Sequence, residues 1–227
     1  MIGIIGAMKE EIDLLCEQLE DSCAVTICGT TFRKGRLDHQ SVVIAHSGVG
    51  KVNAALSTTV LISHFHCDFI INTGIAGGIF GVKTEEIVIG QRLKYYDVDC
   101  TFAGYAIGQV PQEPAEYLPD LADINKVEQA LQELDLPYRL STIYSGDCFV
   151  DDIRLLAKVD TSGCCVAEME GAAVAHVAAK SGVRFLVLRY VSDLVGMPNQ
   201  IEDYQAFEQL MARRSALICL RVLKKLA

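Results

Sequence analysis

The sequence predicts an α/β fold: one domain over residues 1–227, built around a mostly parallel or mixed sheet. Three observations predict it. Short apolar, β-branched runs alternate with segments of helical periodicity along the chain. Two of the runs, Ile2–Ala7 and Phe185–Val191, are continuously rather than alternately hydrophobic, as strands covered on both faces are. Hydrophobic residues make up 51% of the 227, enough for a large buried core.

The elements follow in order. A strand at Ile2–Ala7 leads into a helix at Lys9–Leu19, with Glu10 and Glu11 in its first turn. A strand at Ser41–His46 precedes a helix at Val52–Ser63. Strands at Phe69–Asn72 and Ile87–Gly90 come next. From Tyr95 to Asp120 regular signals are few, and the segment holds three of the five prolines; it reads as a long excursion, and long ordered loops often carry function. A helix at Ala122–Leu134, strands at Ser141–Tyr144 and Cys164–Ala167, a helix at Glu170–Lys180 and a strand at Arg184–Val191 complete the alternation. The last helix, Asp203–Leu226, sets Phe207, Leu210, Met211, Leu217, Ile218, Val222 and Leu226 on one broad apolar stripe. No internal repeat, low-complexity tract or linker interrupts the chain.

Composition excludes several classes. A net charge of −9 argues against general nucleic-acid binding, which needs clustered cations to neutralise phosphate. The basic clusters, Arg213-Arg214 and Arg221 with Lys224-Lys225, fit the polar face of the final helix. The nine cysteines include no C-x-x-C pair, and Cys67, Cys148 and Cys219 sit within apolar runs, where a thiol behaves as a small hydrophobe. His64 and His66 lie beside Cys67, but their side chains diverge at a helix end, so no metal site is expected. No stretch reaches membrane-spanning length and no signal peptide precedes the first strand, so the expectation is a cytoplasmic protein with free thiols and no membrane partner.

In open α/β sheets ligands bind beyond the carboxyl ends of the strands, so the residues that follow each strand matter most. They are Met8 to Glu11, Ser47 to Lys51, Thr73 to Gly78, Ser145 to Phe149, Glu168 to Glu170, and Ser192-Asp193. Small residues and carboxylates share one rim. Each group also has a plainer explanation. Glu10 and Glu11 suit the positive end of a helix dipole. Gly48-x-Gly50-Lys51 lacks the first glycine and last hydroxyl of a P-loop. Gly74, Gly77 and Gly78 fit a tight strand-to-helix turn, although such a turn also lets backbone N–H groups approach a ligand. Glu168-Met169-Glu170 enters a closely packed small-residue helix, where a purely solvated pair would waste the position. Asp193 leaves a very apolar strand, either as a cap or as an acid whose pKa is raised by partial burial.

The motifs MIGIIGAMKEE, SGVGKVNAA, INTGIAGG, SGDCFV, AEMEGAAVAHV and RYVSD stand in the order and spacing of the bacterial 5′-methylthioadenosine/S-adenosylhomocysteine nucleosidases. The resemblance runs from Ile2 into the final helix; EMEGAA alone marks the wider nucleoside phosphorylase superfamily. It implies a three-layer α/β/α fold with a twisted mixed central sheet, a homodimer, no cofactor and no metal. It implies hydrolysis of an adenine nucleoside to adenine and a thio-ribose, in methionine salvage and removal of a methyl-cycle by-product. By that resemblance Asp193 protonates N7 of adenine, Ser192 positions it, and Glu11 activates water. Glu170 binds the ribose hydroxyls, Met169 packs on the sugar, and Arg189 holds the acidic cluster. Phe149 stacks on the purine and the Val150 backbone reads its amino edge. Met8, Val49 and the Tyr204–Phe207 region take the 5′-thio group, and Ile75, Ala76, Gly77 and Glu168 count among the substrate-binding residues. Phe102, Tyr105 and Pro111 reach into the partner subunit's site.

Four positions depart from the family pattern. Ile75 replaces a small polar residue, Tyr96 a histidine, and Val150 an isoleucine, while Phe102-Ala103 shifts an aromatic by one. Ile75 bears on the preferred 5′-substituent and removes no carboxylate. Three rivals remain at this stage. A purine nucleoside phosphorylase needs a dianion pocket, which Glu10-Glu11 and Ile75 oppose. A nucleosidase for 5′-deoxyadenosine or aminofutalosine would keep the same carboxylates. A non-catalytic adenosine sensor would not need a buried acid and base together.

Overall fold

Among the described residues, nine strands form one hydrogen-bonded system with five α-helices around it. The computed structural model describes residues 1–226, with the side chains of residues 207–209, 211–213, 216 and 226 outside the described set. In chain order the elements are β1 (Ile2–Gly6), α1 (Lys9–Glu17), β2 (Glu20–Ile27), β3 (Thr30–Leu37), β4 (Gln40–His46), α2 (Lys51–Ser63), β5 (Phe69–Phe80), β6 (Ile87–Tyr95), α3 (Leu121–Glu133), β7 (Tyr138–Ser145), β8 (Cys165–Glu168), α4 (Gly171–Lys180), β9 (Arg184–Leu194) and α5 (Gln200–Leu226). Among the described residues no helix is long and apolar enough to cross a membrane.

The strand order is β2-β3-β4-β1-β5-β8-β7-β6-β9, and β9 also pairs with β5. The sheet is mixed: β1 runs parallel to β4 and β5, while β5 is parallel to β9 and antiparallel to β8. The twelve residues of β5 serve two partners on one side. Its first half pairs with β1 and its second half with β8, so β5, β8, β7, β6 and β9 close into a ring.

Helices cover both faces, as the continuous hydrophobic runs predict. Alternate residues of each strand serve opposite layers. Ile4, Ile44, Ile71 and Leu186 pack with Leu15 of α1, Val127 of α3 and Val222 of α5. Their neighbours Ile5, Val43, Ile70 and Val187 pack with Leu61 of α2 and with Ala172 and Ala175 of α4. The alanines of α4 let that helix lie close to the sheet.

Several expectations need correction. The hairpin pair β2 and β3 was not expected, because β2 is exposed along nearly its whole length and carries no apolar run. Its turns were the available signal: Cys28-Gly29 and Asp38-His39 are two-residue connections with positive φ at both positions, the backbone that hairpin twist requires. The segment Thr73–Gly78 is no turn into a helix; β5 continues through it. Ser192 and Asp193 likewise lie inside β9 rather than beyond it. Glu170 precedes α4 as its N-cap. Along α5, Ile218 and Val222 are buried with Cys219 and Leu223, whereas Leu210 and Leu217 are exposed. Phe207, Met211 and Leu226 have side chains outside the described residues. Cys148 is exposed, unlike the buried Cys67 and Cys219.

Ile71 is fully buried between β1, β9 and the α1–α3–α5 layer. Ile71→Ala should lower the free energy of unfolding in urea by about 2–5 kcal/mol, and Ile71→Val by about 0.5–1.5 kcal/mol. A loss for the alanine variant no larger than for the valine one would show that this layer relaxes around the gap.

Candidate active site

The strand ends bring the acidic residues to one cavity of about 90 Å³. Met8, Glu11, Val49, Ile75, Ala76, Gly77, Phe149, Glu168, Met169, Glu170, Ser192, Asp193 and Tyr204 all line it, together with Ala7 and Ala167. Val150 lines a smaller adjoining cavity of about 40 Å³, with Cys148, Val195 and Gln200. The two share Gly77, Phe149, Glu168, Met169 and Asp193, so they form adjoining parts of one cleft.

Glu11 shows why capping and chemistry are not alternatives. At the third position of α1, its Oε2 accepts from Ala7 N at 2.7 Å and Met8 N at 3.0 Å, and its Oε1 from Ile75 N at 3.3 Å. Backbone donors therefore aim the carboxylate without consuming another side chain. Burial pushes its pKa up, opposed by those donors and by Arg189. The result is a stronger base than an exposed glutamate. Room for it comes from β5, since a Cβ at Gly74 would stand 2.5 Å from Glu11 Oε1. Gly74 thus serves a carboxylate rather than a turn.

Behind the cavity wall lies Arg189, 2% exposed. It pairs with Glu168, stands 3.8 Å from Glu170 Oε2, and donates to Asn72 Oδ1 at 2.6 Å. Burial works against its charge, but Glu168, Glu170 and Glu11 around it hold its pKa above the ordinary value. Glu168 is taken up within the protein: besides Arg189 it accepts from Ser145 and from the backbone N–H groups of Glu170 and Gly171. Glu170 is freer. Its Oε1 accepts from Gly50 N at 2.8 Å, and burial, with the Glu168 charge second, pushes its carboxyl up to about 8.

Asp193 sits at an irregularity of β9. Ala76 pairs with Val191 and Gly77 with Asp193, which leaves Ser192 as the extra residue of a bulge. Ser192 Oγ donates to Asp193 Oδ1 at 2.6 Å, and Gln200 Nε2 donates to Oδ2 at 2.8 Å. Burial raises the Asp193 pKa against those two donors. An acid whose pKa is raised in this way holds its proton more readily and can pass it to a leaving group.

Aromatic residues close the opening. Phe149 meets Tyr204 edge-on at 5.5 Å, and Tyr204 Oη contacts Met8 Sδ at 3.6 Å. Tyr96, one of the departures from the family pattern, is buried and donates to Cys148 O at 2.6 Å, which fixes the turn that carries Phe149. Lys51, in the glycine-rich segment, is bound to Asp97 at 2.6 Å and stands 3.9 Å from Asp147. Phe102, Tyr105 and Pro111 lie apart from this cavity, with Phe102 91% exposed on a short 3₁₀ turn. The side chain of Phe207 is outside the described residues. Sequence reasoning missed Gln200. Its only sign was a carboxamide seven residues after Asp193 at the start of the last helix.

Residues 1–224 match the family model of the phosphorylase superfamily. A 5′-methylthioadenosine/S-adenosylhomocysteine nucleosidase of Geobacillus kaustophilus is 40% identical over 225 residues, which cover 97% of this chain and 95% of that protein. The S. pneumoniae nucleosidase of the same name, solved with the transition-state inhibitor MT-ImmA, superposes with a TM-score of 0.93 at 35% identity, covering 100% of this chain and 99% of that one. A futalosine hydrolase mutant of Helicobacter pylori superposes with a TM-score of 0.91 at 27% identity, covering 99% and 98%.

The raised Glu170 makes stability depend on pH in a defined direction. The folded protein keeps this proton up to about 8, whereas an ordinary glutamate releases it near 4.5. The resulting stabilisation is complete below about 4.5 and is lost as pH rises through about 8. In chemical denaturation the wild type should therefore lose unfolding free energy across that window relative to Glu170→Gln. Parallel pH profiles for the two proteins would mean that Glu170 titrates normally.

Proposed function

The chain belongs to the phosphorylase superfamily and, within it, to the 5′-methylthioadenosine/S-adenosylhomocysteine nucleosidases, and from that membership we propose how its residues divide the chemistry. It is an N-glycosyl hydrolase that releases adenine from these two nucleosides. The observation that carries the residue assignment is the meeting of Glu11, Glu170 and Asp193 on one cavity that, among the described residues, no lysine or arginine lines. A phosphate nucleophile needs a cationic pocket, but Lys51 is committed to Asp97, and Arg189 is buried against Glu168. Water is the nucleophile that an acidic cavity tolerates.

As the C1′–N9 bond breaks, its electrons move to the purine and positive charge develops on the ribose. Asp193 gives its proton to N7, with Ser192 holding the carboxyl in place. Glu11 takes a proton from the water whose oxygen bonds to C1′. Glu170 accepts from the ribose hydroxyls through its carboxyl oxygens, and the nearby Glu11 carboxylate charge favours the cationic sugar. Glu168 and Arg189 position Glu170. Met169 packs on the sugar, Phe149 on the base, and the Val150 carbonyl accepts from the exocyclic amine. Met8, Val49 and Tyr204 enclose the 5′-thio group, with Phe207 assigned to the same pocket. The whole chain acts as one nucleosidase domain, and nine free cysteines suit a reducing, cytoplasmic location.

The similarity to a futalosine hydrolase favours one second reading, a larger 5′-substituent as substrate. Ile75, beside Glu11, is the residue we assign to that choice. We also assign Phe102, Tyr105 and Pro111 to the site of a partner subunit in a homodimer, consistent with the exposure of Phe102 away from its own cavity.

Three outcomes test this reading. Purified protein should release adenine from methylthioadenosine at the same rate with or without phosphate and yield the free sugar; a sugar 1-phosphate would contradict it. Asp193→Asn and Glu11→Gln should each lower kcat by about 10²–10⁴-fold, and Glu11→Gln should still bind substrate. Near-normal turnover in either variant would move that role elsewhere. Sedimentation should give a dimer, and a fully active monomer would exclude a shared site.

A further inference from the structure

The purine end of the cleft is already occupied by a side chain. Gln200 opens α5 and is 4% exposed. Its Nε2 donates at 2.8 Å to Val150 O and at 2.8 Å to Asp193 Oδ2, while its Oε1 accepts from Gly196 N at 2.8 Å. One –NH₂ group thus bridges a backbone carbonyl and the carboxyl of the acid. An exocyclic amino group on a six-membered heteroaromatic ring carries the same two donors and would bridge the same two acceptors.

The space agrees with the hydrogen bonds. The part of the cleft that Gln200 lines holds about 40 Å³, and the adjoining part about 90 Å³. Pockets for drug-sized molecules run to roughly 300–1,000 Å³. One water needs about 10–15 Å³ of such space, so the smaller part holds a few waters at most and no purine ring. A purine ring cannot enter while the carboxamide stays. A buried amide with three hydrogen bonds is also expensive to move unless its acceptors are satisfied again.

We propose that the Gln200 carboxamide is a placeholder for the amino group of a 6-aminopurine, so that the base binds only by displacing it. The inference rests on the adenine-releasing reading above and deepens it. The entering amine remakes the two bonds that the leaving –NH₂ gives up, and the bond from Gly196 N to the carboxamide oxygen is the one the exchange loses. It satisfies the buried Val150 carbonyl and Asp193 carboxyl in the resting enzyme. It also links the base to α5, because release of Gln200 frees both its side chain and the N–H of Gly196 in the turn that leads into that helix. Tyr204, one turn further along, lines the sugar end of the same cleft. Occupancy by the base therefore loosens the segment that encloses the 5′-substituent.

Two variants test the proposal, Gln200→Met, which keeps length and bulk without the donors, and Gln200→Ala. Calorimetric titration with adenine should show binding about tenfold tighter in both than in wild type, the worth of roughly one net hydrogen bond no longer displaced. The KM for methylthioadenosine should fall in parallel, with thermal melting reporting whether each variant is folded. If adenine binds more weakly, Gln200 reads the base instead of standing in for it. If affinity is unchanged while the melting temperature drops, Gln200 only staples the helix. Either result overturns the placeholder. Wild-type protein that neither binds adenine nor releases it would instead defeat the functional reading on which the placeholder rests.

Discussion

Three glutamates, Glu11, Glu168 and Glu170, lie buried around the single guanidinium of Arg189. Charge burial of this kind is costly unless each group is paired or keeps its proton. Much of the surrounding architecture answers that constraint. Glu168 takes the cation and the N–H groups before α4; Glu11 takes the N–H groups before α1. Glu170 is left with one backbone donor and a distant share of Arg189, and its pKa rises accordingly. The hierarchy divides the acids by environment: one paired with the cation, one held by backbone donors, one kept protonated.

The same constraint accounts for the glycines. Gly74 leaves space for Glu11, and Gly77 faces Asp193, where a Cβ would lie 3.1 Å from Oδ2. Neither has a special backbone conformation among the positive-φ residues. These positions select glycine for the volume of a facing carboxylate. The bulge at Ser192 has a related purpose. Inside a regular strand, successive side chains diverge, but the extra residue lets Ser192 and Asp193 bond to each other.

Much of this was legible in the sequence, for reasons that differ between elements. Strands covered on both faces announce themselves by unbroken apolar runs, so β1 and β9 were read correctly to within a few residues. β2 could not be, since its side chains are exposed and only its turns are informative. The acidic residues were legible as a set because the strand ends converge, although capping explained each one singly. The glycine-rich run stands out in the sequence, but its use at Gly74 does not, because volume reserved for a distant side chain leaves no local mark. Gln200 was invisible for the same reason: its acceptors, Val150 and Asp193, come from elsewhere in the chain.

The account stands on a buried acid that keeps its proton at neutral pH beside a single cation. Infrared spectroscopy of the protonated carboxyl stretch measures this directly. At pH 7 the wild type should show a carboxylic-acid band that survives well above the ordinary glutamate range and is missing from Glu170→Gln. Complete loss of acid absorption in the wild type by pH 6 would show that the cluster is fully ionised, and the division of roles among its glutamates would then be wrong.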